Sequence, residues 1–185
     1  MSFPTTPVFL STTKGWAQAR IHPALAWMEK CTNAWDTRES WSTPWSDWVT
    51  DDYTYIKPNG ERFTGGETAW EATKADYSAF KEYFHEPKWV CVAEKVDGWE
   101  FVGEATLFID LTKEGDTKKG IDLDGRRWDL GLGCMFRFNF VKDWTAKHDG
   151  IKIKSFQIYS DSGPVVVEML RRGIMKPEDL LSSGV

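Results

Sequence analysis

Hydrophobic and polar positions alternate strictly through Gly133-Cys134-Met135-Phe136-Arg137-Phe138-Asn139-Phe140: Cys134, Phe136, Phe138 and Phe140 share one face, Met135, Arg137 and Asn139 the other. A period of two predicts a half-buried strand. Upstream the period changes. From Pro23, the apolar positions Ala24, Met28, Cys31 and Trp35 recur at helical spacing, with proline suited to the first turn. A short second helix is expected in "STPWSDWV", with Thr43 as cap and Pro44 in the first turn. Pro58-Asn59-Gly60 reads as the turn of a hairpin between Tyr53–Lys57 and Glu61–Thr64. A third helix follows: Thr64 and Glu67 form a capping-box pattern, and Trp70, Thr73, Tyr77, Phe80 and Phe84 carry its apolar face.

Beyond Pro87 long strands take over. "KWVCVAEKV" and "WEFVGEATLFIDL" flank an Asp97-Gly98 turn. A charged loop over 112–125, the strand "RRWDLGLGCMFRFNFV", a turn and the strand "IKIKSFQIYSD" come next. "GPVVVEMLRRGIM" is either a short helix or extended. Helices first and a meander of strands after them define the α+β class, with a curved antiparallel sheet that leaves a cone-like interior. The expected organisation is an arm over 1–20, one domain over 21–175 and a tail over 176–185.

Composition narrows the function. The chain has 185 residues and a net charge of −5 without a basic stripe, which disfavours nucleic acid as a partner. No apolar stretch is long enough to span a membrane and no secretory signal is visible, so a cytoplasmic location is expected. Three dispersed cysteines form no C-x-x-C pair, so neither a zinc site nor a disulfide framework is expected. Eleven tryptophans suit a packed core and equally the wall of an apolar pocket.

Phosphate-loop, dinucleotide, nucleophile-elbow and zinc-protease motifs are absent. Histidine is the usual acid or base near neutral pH, and there are three. His22 stands at a helix start and His148 in a turn; His85, in "YFHEPKW", has aromatic neighbours and is the candidate for chemistry.

"DDYTYIKPNGERFTGGETAW", the Phe-rich strand, "IKIKSFQIYSD" and "GPVVVEMLRRGI" together resemble the SnoaL-like polyketide-cyclase branch of the nuclear-transport-factor-2-like superfamily, over roughly residues 20–175. That resemblance implies three N-terminal helices packed on a bent sheet around a deep pocket. It implies a cofactor-independent cyclase, isomerase or dehydratase acting on a bulky, apolar, oxygenated secondary metabolite. The alternative is a non-catalytic module that binds a hydrophobic ligand or a protein. Set against ketosteroid isomerase, the oxyanion-hole aspartate falls on Cys134, the base on Lys57 and the helix-borne tyrosine near Met28. Set against scytalone dehydratase, a histidine falls near His85 and a strand asparagine again on Cys134.

The expected catalytic set is therefore His85, Lys57 and Tyr55. The expected substrate contacts are Cys134, Tyr77, Trp70, Phe136, Met28, Trp89 and Phe156, with no metal and no cofactor. A homodimer through the outer sheet face, with Arg137, Gln157 and Tyr159 at the contact, is implied by the resemblance alone.

Overall fold

The computed structural model describes residues 8–12, 15–17, 19–116 and 118–182. The expected arm and tail lie partly outside them. The strands are β1 (Val8–Thr12), β2 (Val49–Ile56), β3 (Arg62–Thr64), β4 (Phe80–Lys95), β5 (Gly98–Leu111), β6 (Gly120–Ile121), β7 (Arg127–Trp128), β8 (Leu130–Lys142) and β9 (Ile151–Ser160). The helices are α1 (Pro23–Asp36), α2 (Gly66–Tyr77), α3 (Gly163–Arg171) and α4 (Pro177–Ser182). Seven strands form one sheet in the order β1-β4-β5-β8-β9-β2-β3, and β6 and β7 form a small ribbon within the charged loop. In the large sheet β2 and β9 run parallel while the other pairs are antiparallel. This is the expected α+β architecture, with β1 recruiting part of the expected arm to the edge of β4.

Helix α1 buries the predicted stripe of Ala24, Met28, Cys31 and Trp35, together with Leu25 and Trp27. Trp27 meets Phe140 edge-on at 4.8 Å, and Trp35 meets Trp70 of α2 at 5.1 Å, so tryptophan joins helix to sheet and helix to helix. A fully buried side chain of this size contributes on the order of 1.5–3 kcal/mol.

Three expectations differ from what forms. The second helix is a pair of 3₁₀ turns, Glu39–Ser42 and Trp45–Asp47; Thr43 accepts the Trp48 indole N–H rather than capping. Helix α2 starts at Gly66 after Gly65, which has φ +104° and makes no side-chain cap, so the Thr64–Glu67 box does not form. A side chain at position 66 would overlap the Trp45 ring. The helix then ends at Tyr77, and Phe80 and Phe84 belong to β4. Of the two readings of "GPVVVEMLRRGIM", the short helix forms, as α3 over Gly163–Arg171.

Two register shifts interrupt β4 against β5. The second, between Pro87 and Trp89, matters for the site. Before it, Tyr83, His85 and Pro87 face inward; after it, Val90 and Val92 do. One extra residue in a strand bends it and exchanges its faces.

Candidate functional site

The helices and the inner sheet face line a partly open cavity of about 90 Å3, measured to the centres of water-sized molecules. Met28 comes from α1, Trp70 from α2, Cys134 and Phe136 from β8, and Phe156 from β9. The Cys134 face of the alternating strand therefore looks into this space. Tyr77 and His85 supply a polar edge.

The histidine is held from behind. Asp36, the last residue of α1, accepts the His85 backbone N–H through Oδ2 at 3.0 Å, and its Oδ1 lies 2.6 Å from Nδ1. A carboxylate so placed fixes the proton on Nδ1 and orients the ring, leaving Nε2 as the acceptor. On that tautomer the Tyr77 hydroxyl donates to Nε2 over 3.0 Å. Both Asp36 and His85 are largely buried.

A carboxylate at a helix C-terminus opposes the helix dipole. Asp36 occupies that unfavourable place while serving a residue 49 positions away in the chain. Its position at the end of the apolar stripe is the signal in the sequence that could have marked it.

Burial pushes the Tyr77 hydroxyl well above its ordinary value, and the neighbouring Cys134 and Asp36 add to the effect. Tyr77 is thus a neutral donor. Burial also raises the two cavity thiols, Cys31 to about 12 and Cys134 to about 11, although the Cys134 thiol donates to the Ala105 carbonyl at 3.3 Å. Both are neutral at physiological pH, which removes the nucleophilic form. Across the cavity the Tyr53 hydroxyl meets Thr73 Oγ1 at 3.2 Å, and Thr73 donates to the Ala69 carbonyl.

Three expected site residues are elsewhere. Tyr53 and Tyr55 share one face of β2, with Lys57 just past its end, but only Tyr53 reaches the cavity. Further along, that face runs beneath α2, where Asp76 accepts the Tyr55 hydroxyl at 2.6 Å and pairs with Lys57 Nζ at 3.2 Å. Tyr55 also stacks on Phe156, so both polar groups have their partners in the wall. Trp89 follows the β4 bulge and turns outward, donating its indole N–H to Glu104 at 3.0 Å. The remaining histidines are away from the lining too: His22 precedes α1 without a side-chain cap, and His148 stacks on Trp48 at 4.1 Å. Residues not anticipated from sequence include Asp36 behind the histidine and Trp16, Trp35 and Tyr53 in the lining.

No family model matches the sequence, and no curated protein matches it. Solved structures do. Aln2 from a Streptomyces species is 16% identical with a TM-score of 0.57, over 84% of this chain and 99% of that one. A protein described as a SnoaL-like polyketide cyclase, from a Jannaschia species, is 14% identical with a TM-score of 0.52, over 82% and 92%. The hexachlorocyclohexane dehydrochlorinase LinA-type3 from Novosphingobium barchaimii is 11% identical with a TM-score of 0.53, over 78% and 88%. The chain therefore has the nuclear-transport-factor-2-like cone fold that its sequence resembles. At these identities the likeness defines the fold, and function has to be argued from the site. Among the described residues no helix is long and apolar enough to cross a membrane.

Proposed function

We propose that the protein is a cofactor-independent lyase or isomerase whose Asp36–His85 pair takes a proton from carbon in a neutral, apolar, oxygenated substrate. The observation that carries this reading is the two-point grip of Asp36 on His85, which leaves Nε2 on a cavity wall. In the step, a C–H bond beside a carbonyl or leaving group breaks and an N–H bond forms at Nε2. The electron pair moves into an enolate or expels the neighbouring group. Asp36 stabilises the imidazolium that results, and a low-dielectric pocket strengthens that effect. Tyr77 has to release Nε2 for this, and its neutral hydroxyl is then free to donate to the oxygen on which charge builds. Structural neighbours that include a cyclase and a dehydrochlorinase are consistent with such proton chemistry.

The test is deuterium wash-in at the α-carbons of neutral cyclic ketones in D2O, followed by NMR. The wild-type protein is expected to accelerate exchange, and His85→Gln to lower that acceleration by about 10²–10⁴-fold with the fold intact. Equal exchange by both proteins would sink the assignment.

The occupied Nε2 favours a second reading, a binding module without chemistry. Tyr77→Phe separates the two: it frees the base while removing the donor. Under the enzymatic reading exchange changes; under the binding reading neither protein exchanges the ketone.

A further inference from the structure

We infer that the cavity takes a neutral, single-ring molecule carrying one hydrogen-bond acceptor, and not the fused polycycle that the sequence resemblance implies. This deepens the reading above and rests on it for the chemistry, but not for the binding.

Size is the first argument. A cavity of about 150 Å3 in a protein core accommodates one benzene ring. The space here is about 90 Å3, so even one ring requires the walls to give a little. Three fused rings would either force the walls apart or leave apolar rings projecting from the open side into water, and the walls are interlocked. Trp35 meets Trp70 at 5.1 Å and Tyr77 at 5.4 Å, both edge-on, and Phe138 stacks on Phe156 at 4.3 Å. Close-packed aromatic contacts of this kind resist expansion.

Charge is the second. His85 is the one titratable base in the described lining, and no Lys, Arg, Asp or Glu side chain joins it. An anionic ligand would find no cation there and would face Asp36 behind the imidazole. Burying an unpaired charge in such a place is strongly unfavourable.

The acceptor is the third. Trp16, from the segment after β1, lines the cavity, and its indole Nε1 is buried with no hydrogen-bond partner among the described residues. A buried donor left unpaired costs stability that a ligand acceptor restores. Tyr77 supplies a second donor at the His85 edge. A carbonyl or ether oxygen on a ring answers that demand.

The experiment is titration of the full chain with four probes, read in the indole N–H region of the 1H–15N spectrum with the Trp16 signal assigned through its backbone. Cyclohexanone is the expected ligand and should move the Trp16 signal saturably. Methylenecyclohexane, its isostere without the oxygen, should bind about tenfold more weakly and leave that signal in place. Neither 9-fluorenone nor cyclohexanecarboxylate should bind. Cys134→Phe, which fills the cavity, should abolish the cyclohexanone response; Ala105→Leu serves if that variant does not fold. The inference is overturned if 9-fluorenone binds as tightly as cyclohexanone, if the carboxylate binds, or if cyclohexanone gives no saturable shift. Because binding is read without turnover, absent deuterium exchange with cyclohexanone bound would sink the proton-transfer reading and leave this ligand class standing.

Discussion

Two buried carboxylates in this protein each hold a nitrogen base, and they do opposite work. Asp36 grips His85 beside an open space. Asp129, 2% exposed, holds Arg172 with Nη1 to Oδ2 at 2.7 Å, and the arginine side chain is itself buried. Arg172 also gives Nε to Glu168 at 3.0 Å and Nη1 to the Lys113 carbonyl at 2.7 Å. Its remaining face lies against Gly115, where any side chain would overlap the guanidinium. This cluster ties the end of α3 to the charged loop and to the residue before β8. The histidine pair keeps one ring nitrogen on a cavity wall, whereas the arginine cluster is closed around its cation. On the proposed function, what would separate the reactive pair from the structural one is the space beside the histidine rather than the strength of the contact.

The sharpest way to break the comparison is to empty the closed cluster. Arg172→Ala takes the buried cation from two carboxylates, leaving Asp129 with the partly exposed Lys118 and Glu168 with surface cations such as Lys119, and is expected to destabilise the fold by about 3–5 kcal/mol, read by chemical denaturation. Deuterium exchange per folded molecule should survive. The same substitution made at both sites then sharpens the contrast. Asp36→Asn should cut exchange by about 10²–10⁴-fold, because an amide no longer fixes the proton on Nδ1. Asp129→Asn should lower stability and leave exchange in place.

Acid gives a smaller effect. Burial pushes Asp129 up, but hydrogen bonds from Arg172, the Leu111 N–H and Lys118 together hold it below the ordinary carboxylate range. Hydrogen bonds from Arg172 and Lys119 do the same for Glu168 against its burial. A carboxylate depressed in the folded state contributes stability above its unfolded value, about pH 4, and that stability is lost as pH falls through the folded value. Denaturation midpoints should therefore drop below about pH 4 in the wild type, and drop less in Arg172→Ala. The smallest effect is at the thiols. With the Cys134 and Cys31 thiols raised to about 11 and about 12, a thiolate fraction of about 0.1% or less is expected at pH 8, and iodoacetamide should modify Cys91 before either. Mass spectrometry reads the order.

Much of the frame was legible because it rests on local periods. The alternation around Cys134 identified the inward face of β8, and the stripe on α1 identified its buried side. The Pro58-Asn59-Gly60 hairpin formed as read, with the Lys57 N–H on the Glu61 carbonyl. Trp89 was misread because a single-residue bulge reverses strand faces without leaving a mark in the pattern. Phe80 and Phe84 continued a helical spacing, but β4 had claimed them through its pairing with β5. Tyr55 lies on the same strand face as a cavity residue, with Lys57 just past the strand's end. Only the position of Asp76 on a neighbouring helix decides that they are spoken for. His85 was legible as a residue type in an aromatic setting; Asp36 was legible only as the polar end of the α1 stripe and not as its partner, since nothing local relates the end of α1 to β4.

The parallel pairing of β2 with β9 has a consequence for how the molecule comes into being. Tyr55 aligns with Phe156, about a hundred residues later in the chain. A nascent chain emerging from the ribosome with its first 140 residues complete would carry both α1 and α2, yet lack the strand that seats the β2–β3 hairpin in the sheet. Phe156, Ile153 and Ile158, which line the cavity, would also be missing. Closing so long a loop is slow compared with local pairing. The pocket is therefore among the last features to appear during synthesis, and until β9 arrives the aromatic faces that line it are left exposed to the cell's chaperones.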